Sequence, residues 1–275
     1  MKIKGKEFLI GADPEFFVAK KGVPVSAYGL IPGDKKNPYK VRNGAVQVDG
    51  MALEFNINPA KGSKSFVNNI NSVMEQILKM TPDMTMYDGC VAEFGADYIN
   101  EQPEEARILG CEPDYNAYTG EANARPDVDT PFRTAAGHIH IGWTNDVDPH
   151  HPDHFEACKT LTKQLDFHLA IPSLFWDGDT KRRELYGQLG CFRPTHYGVE
   201  YRVLSNLWLK SDLLMKTVYG NTTYAIKRLL SGKHDYEDDY VKAQDIFENN
   251  DLDPVGGHLE EGLIKTPKYY RELAA

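Results

Sequence analysis

The sequence predicts an α+β protein whose curved, largely antiparallel sheet is flanked by helices, and two observations lead there. Short alternating segments dominate the first 60 residues, and the strands that follow are not regularly interleaved with the crossover helices that a parallel sheet needs. FLIGADPEFFVA, GVPVSA, AVQV and MALEFNI read as the early strands, with Asp49-Gly50 as the turn of a hairpin joining the last two. Pro14 falls inside the first of them, which implies an edge or a bulge there. A helix follows over 65–80, because Phe66, Ile70, Val73, Ile77 and Met80 fall on one face. Residues 110–135, rich in Pro, Asn, Asp and Gly, read as a long ordered loop, of the kind that is functional or mobile. GHIHIGW and VEYRVL are strands. Residues 154–175 are helical, with Pro172 interrupting the last turn. A long amphipathic helix spans 209–230 and stops at Gly232, and a shorter acidic one covers 238–249.

No repeat, low-complexity tract or Gly/Ser linker divides the 275 residues, so one domain over 1–275 is expected. A formal net charge of −9 argues against a general nucleic-acid surface. No apolar run reaches the roughly 20 residues of a membrane helix, and the apolar part of MKIKGKEFLIG is too short for a signal peptide. A cytoplasmic protein is expected, with no membrane partner. Four cysteines without a CxxC pair fit reduced structural thiols.

The chemical signal is polar residues two apart inside apolar strands, which places them on a shared face. Asp13 and Glu15 project together, as do His138 and His140, Glu200 and Arg202, and Glu54, Asn56 and Asn58. Any one pair is explained by a solvated strand face. Four strands carrying carboxylates and imidazoles are harder to explain that way. Gathered on a concave sheet, their repulsion needs relief, which Mg²⁺ or Mn²⁺ supplies through oxygen ligands. Arg193 and Arg202 lie near Glu200 in sequence, and arginines beside a metal cluster suit phosphoryl transfer. Arg182 and Arg183 read equally as helix-surface charges. The histidines of DPHHPDH belong to a surface loop, and His168 and Cys191 to packing. There is no G-x-x-x-x-G-K-[ST] and no G-x-S-x-G.

These segments, in this order over residues 8–207, resemble glutamine synthetase and the glutamate-cysteine ligases, and more closely the phage-encoded COOH-NH2 ligases of type 2. GADPEFFV is similar to the metal-binding first catalytic strand, which implicates Asp13 and Glu15. GHIHIG resembles the G-x-H-x-H segment, which implies His138 as a metal ligand and His140 as a nucleotide or substrate neighbour. VEYRVLSN resembles the closing strand, implying Glu200 on metal and Arg202 on phosphate, with Arg193 as the upstream arginine that assists transfer. VDGMALEFNINP is the nearest match to the middle glutamates, giving Glu54 and, less directly, Asp49. The stretch from Cys111 to Gly137 is similar to the phage branch and supplies substrate contacts, with Asp114 and Arg133 as candidates.

The resemblance implies a glutamine-synthetase-like catalytic domain that uses ATP and Mg²⁺ (or Mn²⁺) to join a carboxylate to an amine through an acyl phosphate. Asp13, Glu15, Glu54, His138 and Glu200 would hold metal, and His140, Arg183, Arg193 and Arg202 would contact the nucleotide. Glu54, Arg193 and Arg202 would act in catalysis. Two other readings stay open: a metal-dependent hydrolase that uses the same groups to activate water, and a silent binding protein retaining the fold.

Overall fold

The computed structural model describes residues 7–107, 114–124, 130–235 and 240–251. Its thirteen strands are β1 (Leu9–Phe16), β2 (Val18–Lys20), β3 (Val23–Val25), β4 (Tyr39–Val41), β5 (Gly44–Asp49), β6 (Ala52–Ile57), β7 (Thr85–Met86), β8 (Val91–Glu93), β9 (Tyr115–Asn116), β10 (Phe132–Thr134), β11 (Gly137–Gly142), β12 (Cys191–Thr195) and β13 (Gly198–Tyr201). Eight of them form one sheet in the order β4-β5-β6-β1-β11-β13-β12-β9. Every pairing with a recorded register is antiparallel. β10 pairs with β8, and β3-β2-β7 make a third small sheet.

Alternation decides the two faces of the large sheet. Ile10, Ala12, Leu53, Phe55, Ile57, Ile139, Ile141, Val199 and Tyr201 are buried on one side. Burying each large side chain contributes on the order of 1.5–3 kcal/mol. Helices Ser63–Met80, Pro152–Leu165 and Asp212–Leu230 supply the opposing apolar surface, including Phe66, Ile70, Val73, Leu161, Leu165, Met215 and Val218. Trp208 stacks on Phe66 with ring centroids 6.0 Å apart and donates Nε1–H to the Gly137 carbonyl (3.1 Å), anchoring the start of β11. The long helix begins after Ser211, whose hydroxyl accepts the Leu214 amide (3.2 Å), an N-cap that satisfies an otherwise orphaned donor. Among the described residues no helix is long and apolar enough to cross a membrane.

Three local expectations change. β1 is central in the sheet, so Pro14 is not at an edge. The bulge alternative accounts for it. Between the Ile10–Ala60 bridge and the Glu15–Glu54 pair, β1 advances five residues while the facing chain advances six, and Pro14 lies in this irregular stretch where its missing N–H does least harm. The ordered loop carries two short strands instead of coil alone: β9 adds to the sheet edge and β10 pairs with β8, while 108–113 and 125–129 lie outside the described residues. The helix expected over 154–175 is regular only over Pro152–Leu165. It widens into a π turn over Asp166–Ala170, ahead of Pro172, whose ring cannot fit a regular α-turn.

Candidate active site

The polar face of the large sheet carries the candidate residues in cross-strand rows, and register makes the rows. Arg193 on β12 faces Glu200 on β13, which faces His140 on β11, which faces Gly11 on β1. In the next row Asp13 faces His138. Beyond them Glu15 faces Glu54, which faces Gln47 on β5. Cross-strand neighbours stand about 5 Å apart, so these rows collapse distant sequence segments into one cluster.

Two sets of donor atoms result. Asp13, His140 and Glu200 bring one ligand atom each within 4.8 Å of one another, and so do Glu15, Asp49 and Glu54. Asp49 reaches this second set because the β5–β6 hairpin turns at Gly50, whose φ of +57° suits glycine. Asp49 is the last residue of β5 and shares the face of Gln47, two residues back.

The electrostatics are strained in a specific way. Burial raises Glu15 to about 7, with Asp49 pushing in the same direction. Burial likewise holds Glu54 well above the ordinary carboxylate range, reinforced by Asp13, Glu15 and Asp49, although Gln47 donates to it at 2.8 Å. Asp49 is paired with Lys35 at 2.7 Å. In the first set, burial would raise Asp13, but His140 and His138 outweigh it and hold Asp13 well below its usual range. Burial would lower His140, yet the Asp13 carboxylate lifts it to about 9. His138 goes the other way, to about 4, because burial and then Arg202 outweigh Asp13 and Glu200. Glu200 is 3% exposed and is held low by Arg202, which overcomes the cost of burial.

Asp13 Oδ1 and His140 Nε2 approach to 2.8 Å, but outside hydrogen-bonding geometry, and each is buried without a hydrogen-bond partner. Buried donor atoms facing one another without a hydrogen bond, carboxylates in repulsion and a mixed O/N donor set fit a hard divalent cation. Asp13, Glu15, Asp49, Glu54, His140 and Glu200 are the residues that would hold such ions.

The structure gathers most, but not all, of the residues expected from the sequence. His140 belongs to the donor set with Asp13 and Glu200, and His138 stands beside it against the same two carboxylates. His138 Nδ1 lies 3.5 Å from Asp13 and 3.3 Å from Glu200, with Arg202 Nη1 3.5 Å away, so it braces the row. Arg202 bonds Glu200 and also donates through Nε to Asp114 at 3.1 Å. Arg193 meets Glu200 at 3.1 Å. Glu200 is thus shared between two guanidiniums. Arg183 is not brought to the cluster. Its guanidinium bonds the carbonyls of Asp177 (2.6 Å) and Phe247 (3.1 Å) and lies over the Phe247 ring. Neighbouring helix residues point about 100° apart, so its neighbour Arg182 turns inward and is buried instead of forming a surface charge. Tyr197, whose hydroxyl bonds His140 Nδ1, Gln47 and Lys35 were not singled out in the sequence. Only Gln47 had a signal, as a polar residue alternating with Val46 and Val48. His150 and His151 are exposed, whereas His154 is buried with Nε2 2.9 Å from the Thr195 carbonyl.

Two cavities open on the cluster. One, of about 70 Å³, is bounded by Glu15, Asp49, Asp114, Arg133, Arg182 and Arg202. The other, of about 760 Å³, reaches Asp13, Glu54 and His140 and has apolar walls from Leu9, Ile57, Pro59, Trp143 and Tyr197.

The family model described as phage phiEco32-like COOH-NH2 ligase type 2 matches residues 131–270, just over half of the chain. The chain belongs to that family. The matched stretch carries His138, His140, Arg193, Glu200 and Arg202, while β1, β5 and β6, which bring the remaining carboxylates, precede it. No curated protein matches the chain.

Proposed function

We propose that the chain is an ATP-dependent carboxylate–amine ligase with a glutamine-synthetase-like site on the polar face of its sheet. The observation that carries this reading is the meeting of two acidic donor sets with Arg193 and Arg202 in a buried face belonging to a COOH-NH2 ligase family chain. When bound, Mg²⁺ neutralises polyphosphate charge and ATP supplies the phosphoryl group that activates a carboxylate as an acyl phosphate.

The chain's own residues do the rest by positioning and electrostatics. Asp13, His140 and Glu200 on one side, and Glu15, Asp49 and Glu54 on the other, would hold the cations, whose charge would relieve the repulsion among the carboxylates. Arg193 and Arg202, both beside Glu200, would stabilise charge on the transferring phosphoryl oxygens. The larger cavity, with Trp143 and Tyr197 in its walls, accommodates a nucleoside. The smaller one receives the acid to be activated. His138, with its pKa near 4, stays neutral and adds no positive charge beside Arg202.

Calorimetric titration with a non-hydrolysable ATP analogue tests the reading. Binding should require Mg²⁺, vanish in EDTA and vanish in Glu200→Ala, which keeps its far-ultraviolet circular dichroism. Analogue binding that survives in folded Glu200→Ala sinks the assignment.

A further inference from the structure

Tyr197 occupies a turn position that local turn chemistry does not explain. It and His196 are the two central residues of the hairpin that joins β12 to β13, between the paired Thr195 and Gly198. Two-residue hairpin loops favour Asn and Gly, because the primed turns that match strand twist need positive φ. Neither His196 nor Tyr197 has positive φ, so the turn is of a less favoured kind. The chain after β11 holds it in place. The Tyr197 carbonyl accepts the amides of Trp143 (2.9 Å) and Thr144 (3.1 Å), and the His196 carbonyl accepts that of Val147 (3.1 Å). The turn also lies directly on β11, since a Cβ at Gly198 would come within 2.0 Å of the Ile141 carbonyl. The backbone of Tyr197 is thereby a fixed mount for its side chain.

That side chain turns back over the sheet. Its hydroxyl bonds Nδ1 of His140, with the two ring centroids 6.0 Å apart. The other ring nitrogen of His140, Nε2, lies 2.8 Å from Asp13 Oδ1, and both of these buried atoms are without a hydrogen-bond partner. A hydroxyl on one nitrogen of an imidazole sets the orientation and the tautomer of the ring. When Nδ1 carries the proton and the phenol oxygen accepts it, Nε2 keeps its lone pair for a cation. The protein thus engages the nitrogen that points away from the donor set and leaves open the one that points into it.

We propose that Tyr197 is a positioning residue for the first donor set: through its hydroxyl it presents His140 Nε2 to a divalent cation held with Asp13 and Glu200. This rests on the cation-binding part of the ligase reading and gives Tyr197 a role beyond the cavity wall. Because Tyr197 is in neither donor set, its effect runs through His140 and spares Glu15, Asp49 and Glu54.

The test is Mn²⁺ binding to the full chain without nucleotide. Calorimetry gives the affinities, and electron spin-echo modulation by imidazole nitrogen reports the first set alone, since the second carries no histidine. Wild type should show that modulation, and His140→Ala should lose it. Tyr197→Phe keeps the ring and removes the hydroxyl. It should weaken the imidazole-bearing site about tenfold or more and alter its nitrogen coupling, while the all-carboxylate site stays within about twofold. In a His140→Ala background the same change should add nothing. Binding at the all-carboxylate site doubles as the check that each variant folds. Unchanged affinity and nitrogen coupling in Tyr197→Phe, or an equal further loss in the His140→Ala background, overturns the proposal and leaves the cation sites standing. Absence of imidazole modulation in wild type, or its persistence in His140→Ala, overturns the proposal together with the first donor set. If these Mn²⁺ results hold and the ATP analogue does not bind, Tyr197 keeps its role and the ligase reading falls.

Discussion

Two regions of this molecule bury charge, and they treat it in opposite ways. Among the helices, Asp235 accepts hydrogen bonds from Gln164 Nε2 (2.5 Å), His168 Nε2 (2.9 Å) and Arg228 Nε (2.5 Å), and its own amide is taken by Gln164 Oε1 at 3.0 Å. Nearby, Asp166 accepts the hydroxyls of Tyr118 (2.9 Å) and Tyr201 (2.8 Å). Each carboxylate there is met by donors. On the polar face of the sheet, Asp13, Glu15, Asp49, Glu54 and Glu200 crowd together, and buried atoms of Asp13 and His140 find no hydrogen-bond partner. A satisfied network serves architecture; a face kept in repulsion stores a need that a ligand meets.

The sharpest way to break this contrast is Glu54→Gln. Removing a carboxylate that its neighbours push toward protonation should abolish Mg²⁺-dependent analogue binding, weakening it by about a hundredfold or more for a lost charged ligand. The same change should stabilise the metal-free protein by about 1 kcal/mol, read as a rise of about 2–4 °C in melting temperature for a chain of this length. A lowered melting temperature would show that Glu54 is architectural. In wild type, Mg²⁺ at a hundred times its dissociation constant should add about 2.7 kcal/mol, and Glu54→Gln should lose that gain.

Asp235→Asn is the converse experiment. It should destabilise by about 2 kcal/mol, the cost of charged hydrogen bonds lost in a buried network, and leave analogue binding intact. The pH dependence has a definite sign. Burial would raise Asp235, but the bonds from Arg228, His168 and Gln164 outweigh it and depress its folded pKa below the ordinary value. Its stabilisation is therefore full above about pH 4, the unfolded value, and is lost as pH falls through the depressed folded one. Urea melts of wild type and variant should differ at pH 7 and converge in acid. A gap that stays constant with pH would place the effect in packing.

The smallest effect separates two adjacent arginines. Arg183→Lys should cost about 1 kcal/mol by loosening its bonds to Asp177 and Phe247, with analogue binding unchanged within about twofold. Loss of analogue binding in that variant would return Arg183 to the site.

The strand pairs explain how much of this was legible. Asp13 with Glu15, His138 with His140 and Glu200 with Arg202 could be read as shared faces because side-chain alternation is a local property of any strand. The Asp49-Gly50 hairpin was legible for the same reason, since turn chemistry is local. By itself the sequence determined an antiparallel α+β chain, a polar face rich in carboxylates and imidazoles, and arginines near its last strand. Only the tertiary structure decided that His140 gathers with Asp13 and Glu200, because that depends on the offset between β1, β11 and β13. It alone decided that Asp49 completes the second set, and that Arg182 turns into the site while Arg183 turns away. Those outcomes depend on cross-strand register and helix rotation, which are fixed when separate elements pack together and leave no mark in the spacing of residues along one of them.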